Sequence, residues 1–112
     1  MTVPRYGRAT PIQMHMLGLG GEICRWFAQQ PPTDEDRMKE MRSSRDALRE
    51  SIGCDFGYDL QAWHDYLLNS QRHSEEYTFA FAWRAVRPKI LELIIDPDRM
   101  RLVRLIEALA IK

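Results

Sequence analysis

The middle of the chain reads Gly-Cys-Asp-Phe-Gly-Tyr-Asp-Leu-Gln-Ala-Trp-His-Asp-Tyr-Leu-Leu over residues 53–68. Gly53 is a natural helix end, because glycine adopts the left-handed conformation of a helix C-terminus without a steric penalty. Asp59 is a good N-cap for a following helix over residues 60–70. Four side chains of that helix recur at the spacing of one face: Leu60, Trp63, His64 and Leu67. The stretch therefore predicts two helices joined by a short turn.

A first helix is predicted from Thr10 to the proline pair at residues 31–32. Thr10 can cap it, and Gln13 completes a capping box. Apolar side chains recur at three- and four-residue steps: Ile12, Met16, Leu19, Ile23, Trp26 and Phe27. Glycines at positions 18, 20 and 21 weaken this helix. They predict either a neighbouring helix at close range or a break.

The second helix follows Thr33, which can act as its N-cap, and ends at Gly53. Its apolar stripe is sparse and predicts a surface helix: Met38, Met41, Leu48 and Ile52. Residues 77–83 alternate large and small side chains, as a strand does, but a helix is favoured because a lone strand would have no partner. Pro88 predicts a bend or break at the preceding residue.

The last helix starts at Asp96-Pro97, with Asp96 as its cap. Its apolar residues are predicted to face inward: Met100, Val103, Ile106 and Ala110, joined by Leu102, Leu105 and Leu109. The patterns together predict an all-α fold, a single compact bundle of about five helices with short loops. This helical domain covers residues 10–112, and residues 1–9 form a flexible N-terminal arm.

Sixteen basic residues balance sixteen acidic ones, with eight of each in residues 1–56 and eight of each in residues 57–112. This balance argues against a nucleic-acid binder, which usually carries a basic excess. No apolar run approaches the roughly 18 residues of a membrane span, and no signal peptide is recognisable. We therefore expect a soluble, cytoplasmic, small bacterial protein without a cofactor. Cys24 and Cys54 are expected to be reduced, although their pairing is left open.

The adjacent His64 and Asp65 suggest an enzymatic alternative. Metal-dependent phosphohydrolases of the HD type are all-helical and carry an adjacent His-Asp with an earlier His and a later Asp. This chain resembles them at those positions alone. The resemblance implies that His15 is the early metal ligand and that Asp96 or Asp98 is the late one. Cys54 with His64 or His73 is a second catalytic hypothesis, a nucleophile pair.

The C-terminal third provides another alternative, because it is locally basic. Its cationic residues include Arg84, Arg87, Lys89, Arg99, Arg101 and Arg104. With Tyr77 and Trp83 nearby, they suggest a nucleic-acid-binding regulator. Interleaved acidic residues argue against this reading, because such charges usually form ion pairs on solvated helix faces.

The leading prediction is a non-enzymatic protein-binding or regulatory module, because the aromatic, arginine and aspartate mixture suits a recognition surface. Its most concrete form is an immunity-type or antitoxin-like inhibitor of a partner protein, by analogy of size and composition. The predicted binding residues cluster around the start of the helix after Gly53: Asp55, Tyr58, Asp59, His64, Asp65 and Tyr66. Self-association through the glycine-bearing first helix is a further expectation.

Overall fold

The computed structural model describes residues 9–23 and 32–111, apart from the Ile111 side chain. In these ranges the fold is all-α and contains no strand. Five helices longer than two turns are joined by short connections, and one single-turn helix lies between them, which confirms the predicted bundle. The helices are α1 Pro11–Leu19, α2 Asp34–Ile52, α3 Leu60–Asn69, α4 Ser74–Tyr77, α5 Ala80–Ile94 and α6 Pro97–Ile111. Residues 1–8 of the predicted arm lie outside the description.

Helix α1 is shorter than the sequence predicts. It begins as expected, with the Thr10–Gln13 capping box, but it ends at Leu19. Gly21 has a φ of 86°, a left-handed conformation that stops the helix. The predicted continuation through Ile23 is therefore wrong. Trp26 and Phe27 of the same predicted face lie outside the described residues.

Gly18 in α1 and Gly20, which directly follows that helix, allow close helix packing. A Cβ on Gly18 would lie 2.0 Å from the Ser44 Oγ in α2, and a Cβ on Gly20 would lie 2.4 Å from the Leu93 Cδ1 in α5. Both distances are far inside van der Waals contact. The sequence predicted either a close neighbouring helix or a break at these glycines, and both occur. Gly18 and Gly20 allow close packing, and Gly21 lies at the break.

Helices α2 and α3 begin and end where the sequence places them. Thr33 and Asp36 form a capping box at the start of α2, and Gly53 ends that helix with a φ of 88°. Asp59 caps α3 by accepting a hydrogen bond from the Ala62 N–H at 3.1 Å. The turn between α2 and α3 thus has both of its ends fixed by local hydrogen bonds.

The break in the next segment lies at residues 78–79, not at Pro88. The buried Gln13 amide donates hydrogen bonds to the carbonyls of Tyr77, at 2.9 Å, and Phe79, at 3.4 Å. A glutamine from α1 therefore satisfies the carbonyls that the interrupted helix frees. Pro88 lies inside α5 on its exposed side, so the missing N–H disrupts no buried contact. Residues 77–83 contain no strand.

Most of the core is one apolar cluster shared by α1, α2, α3, α4 and α5. Trp63 is fully buried in it, and Trp83 packs at its edge with its ring 4.9 Å from Tyr77. Trp26 lies outside the described residues. A second, smaller cluster joins α6 to α2 through Met41, Leu102 and Ile106. Helix α6 therefore lies against α2 over a small apolar area.

The inward face of α6 differs from the predicted one. Leu102, Ile106 and Arg99 are buried, whereas four residues predicted to face inward are exposed: Met100, Leu105, Leu109 and Ala110. The difference arises because a charged residue occupies the inner face. Arg99 donates hydrogen bonds to the carbonyls of Leu19, at 3.2 Å, and Tyr58. Burial lowers the pKa of Arg99 to about 10.

Ion pairs at the start of α6 add to this attachment. Arg101 holds both carboxylate oxygens of Asp34 at 2.8 and 2.9 Å, and Arg37 contacts Asp98 at 2.6 Å. All of these pairs link α6 to α2. Helix α6 is therefore held in place by arginine contacts as well as by its small apolar contact with α2.

Candidate functional site

The turn between α2 and α3 carries a pre-arranged pair of charges. Arg45 of α2 contacts both carboxylate oxygens of Asp55, through Nε at 3.1 Å and through an Nη at 2.8 Å. The Gly57 N–H donates to the same carboxylate at 2.8 Å. These hydrogen bonds, the one from Arg45 first, lower the pKa of Asp55 to about 2. Asp55 is therefore ionised and held in one orientation.

Tyr58 lies next to this pair. The Arg45 guanidinium carbon is 4.9 Å from the centre of the Tyr58 ring, within the range of a cation–π contact. The Tyr58 carbonyl accepts the hydrogen bond from the buried Arg99 described above. The ring is thus fixed from one side by α2, while the backbone is fixed by α6.

A groove of about 340 Å³ opens beside Tyr58, between α2 and the C-terminal half of α6. Its walls combine two arginines with apolar side chains of α6 and the turn. The lining residues are Arg42, Arg45, Gly57, Tyr58, Ile106, Glu107, Leu109 and Ala110. Arg42 forms no hydrogen bond or ion pair with another residue of the described ranges. The groove therefore offers a cation, without a partner among the described residues, beside an apolar floor.

Tyr66 extends the aromatic surface along α3. It is 38% exposed, and its ring lies 5.2 Å from the Phe56 ring. Phe56 in turn packs edge-on against Trp63 at 5.0 Å. A hydrogen bond with the Cys54 thiol is the main cause that raises the pKa of Tyr66. Cys54 is a free thiol, and Cys24 lies outside the described residues.

The two other predicted aspartates are exposed and have local roles. Asp59 caps α3, and Asp65 accepts a hydrogen bond from the Gln61 amide at 2.9 Å. Both carboxylates remain open to solvent at the surface. They can contribute charge to an interface without being rigidly placed for chemistry.

His64 does not share this surface. It is only 5% exposed, and its Nδ1 lies 2.7 Å from the Tyr77 hydroxyl. Burial lowers the pKa of His64, so the neutral ring is favoured. His64 is therefore a hydrogen-bonded core residue, although the sequence places it among the candidate binding residues.

The positions that resemble an HD phosphohydrolase are not gathered into one site. His64 is hydrogen-bonded to Tyr77, and Asp98 pairs with Arg37 and Arg101. Asp96 accepts a hydrogen bond from the Asp98 N–H at the start of α6. Within residues 9–23 and 32–111, no group of three or more His, Cys, Asp or Glu side chains is arranged to hold a metal.

Half of the six basic residues named for a nucleic-acid surface are engaged within the protein. Lys89 pairs with Glu22 and Glu92, and Arg101 pairs with acidic residues of α2 and α6. Arg99 is buried. Three of the six cations predicted for a nucleic-acid surface are thus engaged in contacts within the protein.

The glycine side of α1 is also engaged internally, because Gly18 and Gly20 face Ser44 and Leu93. Gly18 and Gly20 are therefore buried within the protein, and self-association through the first helix stays a prediction.

Sequence reasoning missed Arg45, Arg42 and the groove residues of α6. Arg45 and Asp55 are ten residues apart, a spacing that matches no helical period. A signal was nevertheless present, because a helix that ends at Gly53 and turns back brings residues after position 53 towards its own last turns.

The chain matches no protein-family profile, no curated protein and no solved structure. In the part of the chain that the structure describes, no helix is both long and apolar enough to span a bilayer.

Proposed function

We propose that this chain is a non-enzymatic protein-binding module. Its binding surface, here called the recognition edge, consists of Arg45, Asp55, Phe56, Tyr58 and Tyr66, with the adjoining groove between α2 and α6. The observation that carries the proposal is the Arg45 guanidinium held between the Asp55 carboxylate and the Tyr58 ring, beside an open groove.

Tyrosine and arginine, together with tryptophan, are enriched among the residues that dominate binding energy at protein interfaces. Ordering a long side chain at an interface usually costs conformational entropy. Here the bidentate contact with Asp55 has already ordered Arg45, and the cation–π contact has ordered Tyr58. A partner would therefore meet a surface that loses little freedom on binding.

The chemistry of the groove indicates what such a partner presents. Ile106 and Leu109 offer apolar contact, while Arg42 is a cation without a partner among the described residues. An apolar or aromatic side chain next to a carboxylate would satisfy both features. A finer proposal, by analogy of size and composition, is that the chain is an immunity-type or antitoxin-like inhibitor. In that case the partner is a harmful protein.

The test compares partner capture by matched variants. Tagged wild-type protein is used to isolate a stoichiometric partner from its native lysate, and the partner is then purified and its affinity measured directly. Tyr58→Ala and Arg42→Glu should each weaken binding at least tenfold, because each removes an anchor of the recognition edge. Lys39→Glu makes the same charge change on an exposed position of α2 that does not line the groove, so it should leave the affinity unchanged.

Circular dichroism would show that each variant remains folded. The proposal fails if no stoichiometric protein is recovered, or if the recovered protein binds Tyr58→Ala and Arg42→Glu as tightly as wild type. The inhibitor version fails separately if the purified partner keeps its full activity when bound.

A further inference from the structure

Helix α6 is attached to the rest of the fold by few apolar contacts. Within the described ranges, none of its side chains belongs to the larger core cluster, and its buried apolar residues are Leu102 and Ile106 alone. Both pack in the smaller cluster against Met41 of α2, with Tyr58 at the edge. Helix α5 has the same length of 15 residues but buries four side chains in the larger cluster. Elements with few buried apolar contacts open at a lower free-energy cost than the core of a domain.

The polar contacts of α6 do not compensate for its small apolar area. The side chains of Arg101 and Asp34, which join α6 to α2, are both half-exposed, so water and salt weaken their attraction. Arg99 is buried and donates to two carbonyls, but no carboxylate of the described residues forms an ion pair with it. Removing a guanidinium from water without a paired carboxylate offsets part of the stabilisation from those hydrogen bonds.

We propose that α6 opens and closes on the rest of the fold as a separate unit, and that its closed position completes the groove of the recognition edge. The connection from α5 is only residues 95–96, so α6 can move without drawing α5 out of the core. Four of the eight residues that line the groove belong to α6: Ile106, Glu107, Leu109 and Ala110. Opening therefore removes one wall of the groove, and it breaks the hydrogen bond from Arg99 to the Tyr58 carbonyl.

The closed fraction then regulates the recognition edge. Only closed molecules have the complete groove, so the apparent affinity for a partner falls in proportion to that fraction. A partner that occupies the groove in turn holds α6 closed. This regulatory role rests on the proposed function, whereas the opening is a property of the free chain and is tested without a partner. Either one can therefore fail while the other stands.

Hydrogen exchange of the free protein, resolved by NMR, would test the separate opening. After correction for intrinsic rates, the backbone amides of residues 102–106 should exchange at least about tenfold faster than those of residues 63–67 in α3. Conditions are chosen so that the exchange rate reports the opening equilibrium.

Ile106→Val and Ile90→Val are a matched pair of variants, because each removes one methyl group from a buried isoleucine, in the smaller and the larger cluster respectively. Ile106→Val should lower the protection of residues 102–106 about fivefold. Ile90→Val should lower the protection of residues 63–67 about fivefold and leave that of residues 102–106 unchanged, because Ile90 keeps its contacts while α6 is open.

Methionine oxidation gives a second readout of the same opening. Met41 is fully buried in the cluster beneath α6, and Met16 is fully buried in the larger cluster. Hydrogen peroxide converts a methionine thioether to the sulfoxide at a rate that follows its exposure. Peptide mass spectrometry should show that Met41 is oxidised faster than Met16. Ile90→Val should speed the oxidation of Met16 about fivefold without changing that of Met41.

Two arginines of α6 test the role of the ion pairs. Arg101→Gln removes the contact with Asp34 and should lower the protection of residues 102–106 about threefold. Arg104→Gln is the control, because Arg104 is exposed and forms no ion pair with another described residue, so protection should stay unchanged.

Three results would each overturn the proposal. The first is equal protection of residues 63–67 and 102–106. The second is a loss of protection at residues 102–106 in Ile90→Val, or none there in Ile106→Val. The third is a Met41 that is oxidised no faster than Met16.

Discussion

Gln13 links two parts of the fold that are far apart in sequence, and its replacement gives the sharpest stability prediction. Its side chain is fully buried. Its amide nitrogen donates to the carbonyls of Tyr77 and Phe79, and its amide oxygen accepts from the Thr10 N–H at 2.9 Å. Gln13→Leu keeps the approximate volume but removes all three hydrogen bonds.

The loss of stability in Gln13→Leu depends on whether water can replace each hydrogen bond that the variant removes. The Tyr77 carbonyl loses a buried hydrogen bond of 2.9 Å, and an unsatisfied buried group costs about 1–3 kcal/mol. The Phe79 bond is long, at 3.4 Å, and it is only partly buried, as is the Thr10 bond, so together these add about 1 kcal/mol. We expect the free energy of unfolding to fall by about 2–4 kcal/mol, which lowers Tm by about 10 °C or more.

Urea and thermal unfolding would measure this loss. Gln61→Leu is the control, because Gln61 is exposed and, within the described residues, its side chain bonds only to Asp65. The loss of stability in this variant should stay within about 0.5 kcal/mol. Gln13→Glu should be destabilised more strongly at pH 7, since a carboxylate would face two carbonyl oxygens. It should then recover on acidification, when the protonated acid can donate. Equal losses for Gln13→Leu and Gln61→Leu would refute the reasoning.

Three further predictions concern packing and pH. Gly18→Ala should destabilise the protein by about 1–3 kcal/mol in urea unfolding, because its Cβ would lie 2.0 Å from the Ser44 Oγ. This loss of stability should shrink in a Ser44→Ala background, and an undiminished loss would place the clash elsewhere. Because the pKa of His64 is lowered in the folded protein, the unfolded state binds a proton more readily, and stability should fall as the pH drops below about 6.5. His64→Gln should flatten that part of the stability–pH curve. An unchanged curve would contradict the buried neutral ring bonded to Tyr77. The pKa of Asp55 is lowered from 3.8 to about 2, so its ionised carboxylate stabilises the fold above pH 3.8, and this contribution is lost between pH 3.8 and 2. Because the carboxylate is solvent-exposed, Asp55→Asn should cost no more than about 1 kcal/mol at pH 7. A loss that persists at pH 2 would rule out the ionic contribution.

The recognition edge shows why a candidate site was only partly predictable. The sequence alone draws attention to Asp55, Tyr58 and Tyr66, because aromatic and acidic residues are concentrated around a predicted turn. Their grouping with Arg45 depends on the path of the chain after Gly53, which no periodicity encodes. His64 shows the reverse, because a residue whose type suggests chemistry is buried against Tyr77. Whether a histidine faces a core partner or a surface is a property of the packing.

Local chemistry determined the helix boundaries that the sequence predicts correctly. The caps at Thr10, Thr33 and Asp59 and the stop at Gly53 each depend on hydrogen bonds or backbone angles within a few residues. Such interactions are encoded in neighbouring residues, and so they can be predicted from them.

Tertiary contacts decided the rest. The chain breaks at residues 78–79 because Gln13, more than sixty positions away, satisfies the freed carbonyls. Helix α6 turns Arg99 inward because carbonyls of Leu19 and Tyr58 are there to accept its hydrogen bonds. In both cases a buried polar group needs a partner that is distant in sequence, and only the folded chain brings the two together.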